Sequence, residues 1–475
     1  MITRRKNSGC TLWIIVFIVI IGVAAIGICA GIETTPATKA PATTAQQAQP
    51  PETKPAPAPA SSPKPVVESV NILSNPGFEF GSADRPEGWT TTGWKPGEFI
   101  WDSTVAHSGR YSVKIESPQA NDLRWVQKVN VHSGSRYKFT AWVRTLNVGP
   151  SPEANDIGAN LSIDGAFLRS DDRKGTNDWT PLSLDIVTGP RDSSLTVELR
   201  LGYFAGTNTG TVWFDDASLE LVEDLNIVVV EGRHVTLELL GTDASKIRDV
   251  PGWLRKLDIA YEHLAELVGS SPYDGGKIIV REVLPMKYGG LAGNPILINQ
   301  QILNIDEMNN HSDLNFGVIH ELGHDFDLPP YSGFYIGDGA LNAEGWANLK
   351  VVYAADQMSA LFPETTFWGD GVALPLGELG SKYFERKYAD PYLQAGRRDG
   401  LQMNNDVLTG LLYSLKRQMG WGPFKATFRD YRTYNAGRST TSSSVDKMRL
   451  FVKLLSKNSG VDLAPAFRSW GFDIQ

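Results

Sequence analysis

Tyr137, Phe139, Ala141 and Val143 alternate with Lys138, Thr140, Trp142 and Arg144, and Leu195, Val197, Leu199 and Leu201 alternate with polar partners. A period of two puts the apolar side chains on one face, so both runs predict antiparallel strands with one buried side. Many such short runs, parted by Gly, Asn, Asp and Ser turns between about residues 69 and 222, predict an all-β sandwich or jelly roll. Further on the period lengthens. Between Leu225 and Val283, two β-like runs flank a helix whose apolar stripe is Leu257, Tyr261, Leu264 and Val268. Ile319, Leu322 and Phe326 mark another helix, which Pro329-Pro330 brings to an end. Glu344, Asn348 and Val351 share one face of the next, and the loop rich in Gly and Tyr from Tyr331 to Gly339 lets it fold back. This half of the chain reads as an α+β domain.

The N-terminus follows neither period. Arg4, Arg5 and Lys6 precede an uncharged run from Asn7 to Ile32, whose apolar part from Leu12 is about long enough to cross a bilayer core. Basic residues before it and none just after predict an anchor with the N-terminus inside and the rest of the chain extracytoplasmic. The alternative is a signal cleaved near Ala30, which makes the protein secreted. Both cysteines, Cys10 and Cys29, lie in or beside this run, so the remainder holds no disulfide. Pro, Ala and Thr dominate the next stretch, which lacks the large apolar side chains a core needs and reads as an extended stalk. The boundaries are therefore a short basic tail at 1–10, a transmembrane helix or signal at 11–32, the stalk at 33–66, the sandwich at 67–223 and the α+β domain at 224–475.

A net charge of −8, with no basic cluster and no phosphate-cradling Gly loop, excludes a nucleic-acid partner. The chemistry sits in Val318-Ile319-His320-Glu321-Leu322-Gly323-His324 and in Ala343-Glu344-Gly345-Trp346-Ala347-Asn348. Residues four apart lie one above the other on a helix, so His320 and His324 can ligate one ion from the same face. A catalytic Zn²⁺ takes three protein ligands and keeps an open position. Glu344 is the third ligand in this reading; Asp325, Asp327 and Asp338 are other nearby carboxylates. Glu321 points beside the ion, where an unliganded carboxylate can accept a proton from water. Asn348, one turn beyond Glu344, would brace a ligand from outside.

The H-E-x-x-H motif with a downstream Glu resembles the gluzincin metallopeptidases. The surrounding passages are similar to their enhancin-like, mucin-degrading branch. They are Gly290-Leu291-Ala292-Gly293-Asn294-Pro295-Ile296, Asn342 to Asn348, Leu411-Leu412-Tyr413, Met419-Gly420-Trp421, Phe428 to Arg432, and Ser469-Trp470-Gly471-Phe472. The likeness runs from about Gly276 to the C-terminus. It departs at Asp325 and Asp327, where Asn and Gln are common in the family. The resemblance implies a zincin-like fold and a substrate strand at Gly293, Asn294 and Pro295. It also implies glycoprotein or glycopeptide substrates carrying O-linked sugars. Tyr335, Tyr413 and Tyr434 are candidates for stabilising an oxyanion.

Within the sandwich, Asn75-Pro76-Gly77-Phe78-Glu79, Gly88-Trp89, His107 to Ser112 and Phe214 to Leu219 resemble carbohydrate-binding modules of families 4, 9 and 22. The likeness implies a glycan ligand. Trp142, on the polar side of its strand, would stack a sugar or else pack under a loop, with Arg144, Arg200 or Glu198 for the hydroxyls. Trp89 reads as core. The same resemblance implies a structural Ca²⁺ at Glu79 and Asp216. Two functions follow: a zinc endopeptidase on glycoproteins, targeted by its sandwich, and a surface glycan-binding or adhesion protein whose zincin fold does not cleave.

Overall fold

The computed structural model describes residues 70–474 apart from 151–156, 204–206, 285, 328–342 and 436–442. The tail, the apolar segment and the stalk lie outside the described residues, as do Tyr335, Asp338, Pro329-Pro330 and the loop at 331–339. Among the described residues no helix is long and apolar enough to cross a membrane.

A hairpin of β1 (Gly81–Ser82) and β2 (Arg85–Pro86) opens the first unit. It is followed by β3 (Thr90–Gly93), β4 (Glu98–Asp102), β5 (Ser112–Asn121), β6 (Leu123–Asn130), β7 (Ser135–Pro150), β8 (Ala159–Ile163), β9 (Gly175–Val187), β10 (Ser194–Leu201) and β11 (Asn208–Asp224). They form two antiparallel sheets, β3-β6-β10-β8 and β4-β5-β11-β7-β9. The inward positions of both sheets, including Val113, Ile115, Leu123, Trp125, Phe139, Val143, Leu199 and Phe214, close into one apolar core. Alternation is what allows this, since each strand surrenders every second side chain. Trp89 is buried in that core and tilts against Phe78, with ring centroids 5.2 Å apart.

The second unit begins directly after β11. A hairpin of β12 (Ile227–Glu231) and β13 (Val235–Leu240) precedes a single turn, α1 (Gly241–Ala244), and the long α2 (Val250–Val268). Where the sequence suggested two β-like runs around the helix, there are three strands, the first two being a hairpin. Asp249 caps α2 by accepting from Gly252 N at 2.8 Å, and Gly269 ends it in the left-handed region at φ 77°. Next come β14 (Ile278–Val283), β15 (Gly290–Leu291) and β16 (Ile296–Asn299), giving a mixed sheet of order β12-β13-β14-β16-β15. The rest is mostly helical: α3 (Ile305–His311), α4 (Phe316–Asp325), α5 (Ala343–Met358), α6 (Asp390–Gln394), α7 (Asn405–Met419), α8 (Gly422–Asn435), α9 (Ser444–Ser459) and α10 (Ala464–Ser469). A hairpin of β17 (Thr366–Gly369) and β18 (Val372–Pro375) and a π-helix at Leu379–Ala389 lie between α5 and α6.

The two units share a core. Val283, Leu291 and Leu297 from the sheet of the second unit, and Tyr288 just before β15, pack into the apolar cluster of the sandwich. Arg281 spans the junction, donating from Nε to Glu238 at 2.6 Å and from Nη1 to Asp192 at 2.9 Å. Its guanidinium needs the bare backbone of Gly189, where a Cβ would stand 1.9 Å from Nη2. Arg169 of the sandwich donates to the Tyr288 hydroxyl at 3.0 Å.

Candidate metal centre and the sandwich surface

Helix α4 is short and buried, which is what a helix carrying ligands through a protein interior must be. Asn315 caps it through its side-chain oxygen, which accepts from Val318 N at 3.2 Å. His320 and His324 rise from one face toward α5, whose first turn presents Glu344. Nε2 of His320 lies 2.8 Å from Glu344 Oε2 and 3.0 Å from Nε2 of His324, which is 3.6 Å from the same carboxylate oxygen. All three side chains are buried, and their ligand atoms lie within 4.8 Å of one another. Among the described residues this is the one group of three or more His, Cys, Asp or Glu side chains so arranged.

Asn348, one turn along α5, lies with its Oδ1 2.9 Å from His320 Nδ1. Its amide nitrogen donates to Asp406 at the start of α7, 3.1 Å away. An amide oxygen accepts only, so Nδ1 carries a proton and Nε2 is the nitrogen turned toward Glu344, free to ligate an ion when the ring is neutral. Two imidazole nitrogens and a carboxylate, with one tautomer fixed from behind, fit a zinc-type ion. Burial works against a charged His320, but hydrogen bonding and attraction from Glu344 outweigh it and raise its pKa. Glu344, despite burial, is driven well below the usual carboxylate range by the two histidines.

Glu321 is buried beside this group and its carboxyl is raised, chiefly by desolvation. The edge strand lies directly on it. The Ala292 N–H works against that rise, and a Cβ on Gly290 would come within 2.6 Å of Glu321 Cγ. Only glycine lets the backbone approach so closely. Asp325 holds the same segment by accepting from Gly293 N at 2.8 Å and from Tyr273 at 3.2 Å. Gly293 also faces the sandwich, where a Cβ would stand 3.7 Å from the Phe167 ring. Asn294 turns away and is spent on the backbone of Ile279 and Lys277. Asp327 forms a fully buried ion pair with Lys350 of α5.

Phe316 stacks on His320 with centroids 5.7 Å apart, and its other contacts open on an apolar cavity of about 390 Å³. Phe367, Leu374, Leu379 and Tyr383 line it, with Lys382 and Lys387 at the rim. Tyr413 is not at the centre. It is 5% exposed and packs between α7 and the π-helix, its ring so close to Gly380 that a Cβ there would lie 2.2 Å away. The Tyr434 side chain lies outside the described residues.

On the sandwich, Trp142 is half-buried and one face of its ring is covered by His107, with centroids 3.9 Å apart. Arg200 and Glu198 do not join it. They sit on β10, in the opposite sheet, inside a buried network in which Arg200 binds Asp122 and Glu198, and Glu198 also takes Arg124 and Ser162. The alternating pattern placed them on a polar face, but loops and Tyr203 cover that face. Arg144 does lie on the Trp142 sheet, 5.6 Å over Trp213. Glu79 and Asp216 come to one end of the sandwich with their oxygens engaged by protein donors. Arg110 and Tyr111 N–H groups bind Glu79, while Ser108 and His107 bind Asp216. Among the described residues no third His, Cys, Asp or Glu joins them in a metal-sized group.

Residues 70–209 match a family described as a carbohydrate binding domain. The chain is 25% identical over 253 residues to TRPM8 channel-associated factor 2 of Homo sapiens, covering 51% of this chain and 25% of that protein. It is 26% identical over 199 residues to a TRPM8 channel-associated factor homolog of Xenopus laevis, covering 39% and 18%. It thus spans a quarter or less of these relatives' length. Among solved structures, it is similar to a functionally unknown conserved protein from Bacillus anthracis, with 14% identity over 76% of this chain and 72% of that one and a TM-score of 0.41. It is also similar to TmCBM61 in complex with beta-1,4-galactotriose, with 22% identity over 32% of this chain and 98% of that one and a TM-score of 0.24.

Proposed function

We propose that this chain is a zinc-dependent endopeptidase of the gluzincin type, acting on glycoproteins that its carbohydrate-binding module helps to hold. The observation that carries the reading is the meeting of His320 Nε2, His324 Nε2 and Glu344 Oε2 beside the buried carboxylate of Glu321. His320, His324 and Glu344 would hold the ion, which when bound supplies Lewis-acid polarisation of a carbonyl and a more acidic water. The chain's own residues do the rest. Glu321 accepts the proton of the attacking water at its carboxylate and returns it to the leaving amine. Asn348 holds His320 in the ligating tautomer. The edge strand at Gly290 to Gly293, kept in place by Glu321 and Asp325, offers a backbone for an extended substrate to pair with. The cavity behind Phe316 takes an apolar side chain next to the scissile bond.

The enhancin-like, mucin-degrading resemblance points to O-glycosylated substrates, and the match to a carbohydrate-binding family supports a glycan-bearing one. The apolar segment at 11–32 supports a surface location, anchored through the membrane with the folded units outside, or secretion after cleavage. Incubating glycosylated and deglycosylated mucin-type substrates with the protein and sequencing fragment ends by mass spectrometry tests the activity. Zinc-dependent cleavage near glycosylated Ser or Thr is the expected result, and no cleavage of either form with one zinc bound per chain refutes it.

The second reading is a surface glycan-binding protein that does not cleave. It is favoured by the likeness to the TRPM8 channel-associated factors, whose name describes association and no reaction. On this reading the same assay returns bound but intact glycoprotein.

A further inference from the structure

The five-stranded sheet has already used much of its outward aromatic surface. Trp213 lies under Lys114 and Arg144, 5.3 and 5.6 Å from its centroid, and His107 covers a face of Trp142. An exposed indole lies elsewhere. Trp94, in the turn between β3 and β4, is 45% exposed, although large aromatic side chains with rigid backbones are normally packed away.

That turn is firmly built. Trp94 N donates to Asp122 O at 3.1 Å, and Lys95 N to Asn121 Oδ1 at 3.1 Å. The buried Asn121 amide returns hydrogen bonds to the carbonyls of Lys95 and Pro96 at 3.1 and 3.4 Å. Gly93 and Gly97 let the backbone settle on Leu123, whose methyl groups would lie 2.4 Å from a Cβ at either position. Trp94 is thus displayed by a fixed scaffold. It borders an open slot of about 630 Å³ between this turn and the β1–β2 hairpin, floored by Phe99 and Trp125 in edge-to-face contact at 5.6 Å. Asp84 and Arg85 stand on the hairpin side, exposed and without an ion pair or side-chain hydrogen bond among the described residues.

We infer that this slot is a sugar-binding site, in which Trp94 stacks on a pyranose ring and Asp84, Arg85 and Lys95 bind its hydroxyls. A flat aromatic face matches the C–H face of a sugar ring. A rim of both charge signs suits a neutral polyhydroxy ligand, because each hydroxyl both donates and accepts. The volume falls in the roughly 300–1,000 Å³ range of small-molecule sites and admits more than one ring. The inference rests on the carbohydrate-binding match of residues 70–209 and stands apart from the peptidase reading.

The full chain is first applied to an array of neutral and sialylated oligosaccharides, and a soluble form of the strongest neutral ligand is then titrated by tryptophan fluorescence. Trp94→Ala and Arg85→Ala should each weaken binding about tenfold or more, as truncating an anchor does, with the melting temperature unchanged. Binding that survives Trp94→Ala but is lost in Trp142→Ala puts the sugar on the five-stranded sheet and overturns the inference. So does the absence of binding across the array, or a preference confined to sialylated ligands. Cleavage is not part of the readout, so a chain that binds sugar through Trp94 and hydrolyses nothing refutes only the peptidase reading.

Discussion

Asn348 accepts a hydrogen bond from His320 Nδ1 and donates one to Asp406, so a helix 58 residues further along the chain decides which nitrogen of His320 is free. Replacing Asn348 with Ala removes the brace but none of the three ligands. Zinc affinity should fall about 10- to 100-fold, the usual cost of losing such a partner, with the fold retained. Competition with a fluorescent chelator measures it, and unchanged affinity would show the contact to be incidental.

On the proposed reading, Glu321 and the ligands have separable roles. Glu321→Gln should keep one zinc per chain and lose on the order of 10²–10⁴ in turnover. His320→Ala, His324→Ala and Glu344→Ala should lose the metal itself. Metal analysis beside a glycopeptide cleavage assay tells the two classes apart; native-rate cleavage by zinc-loaded Glu321→Gln would end the mechanism.

Glu282 is pushed up to about 8, first by burial and then by Asp243 beside it, while the N–H of Leu240 works against the shift. Its folded pKa is raised, so between the ordinary carboxylate range and about 8 the folded chain holds a proton that the unfolded chain has released. The stability it contributes is full below that window and is lost as pH rises through it. Glu282→Gln should flatten the decline in melting temperature between pH 5 and pH 8, a range set by that shift. Scanning calorimetry across the range is the check.

The Asp327–Lys350 pair is fully buried. Asp327→Ala should cost about 3–5 kcal/mol, because it strands a buried ammonium. The double variant Asp327→Leu, Lys350→Met removes both charges and should recover most of that loss in chemical denaturation.

Local patterns were legible because their causes are local. His320 and His324 meet through helical pitch, and Val113, Phe139 and Leu199 turn inward through strand alternation. Asp406 was not legible, since nothing near Asn404-Asn405-Asp406 announces a histidine far back in the chain. Arg200 and Glu198 misled for a related reason. Alternation says which side chains share a face, but neither which sheet the strand joins nor what covers it. Trp94 was not legible either, because exposure at a turn is a property of its anchors, Asn121 and Asp122, rather than of the residue. The junction was equally hidden, for Leu291 and Leu297 read as ordinary strand interior until the sandwich is placed against them.

That junction has a mechanical consequence. Val283, Leu291 and Leu297 belong at once to the core of the sandwich and to the sheet whose edge lies on Glu321. Two modules on a flexible tether would sample every spacing between their sites, but modules that share side chains cannot. The pair acts as a caliper with its jaws set. On the reading proposed above, a sugar held by the first unit would lie at a constant offset from the carboxylate in the second, and the position of a cut would be measured along the substrate from its glycan.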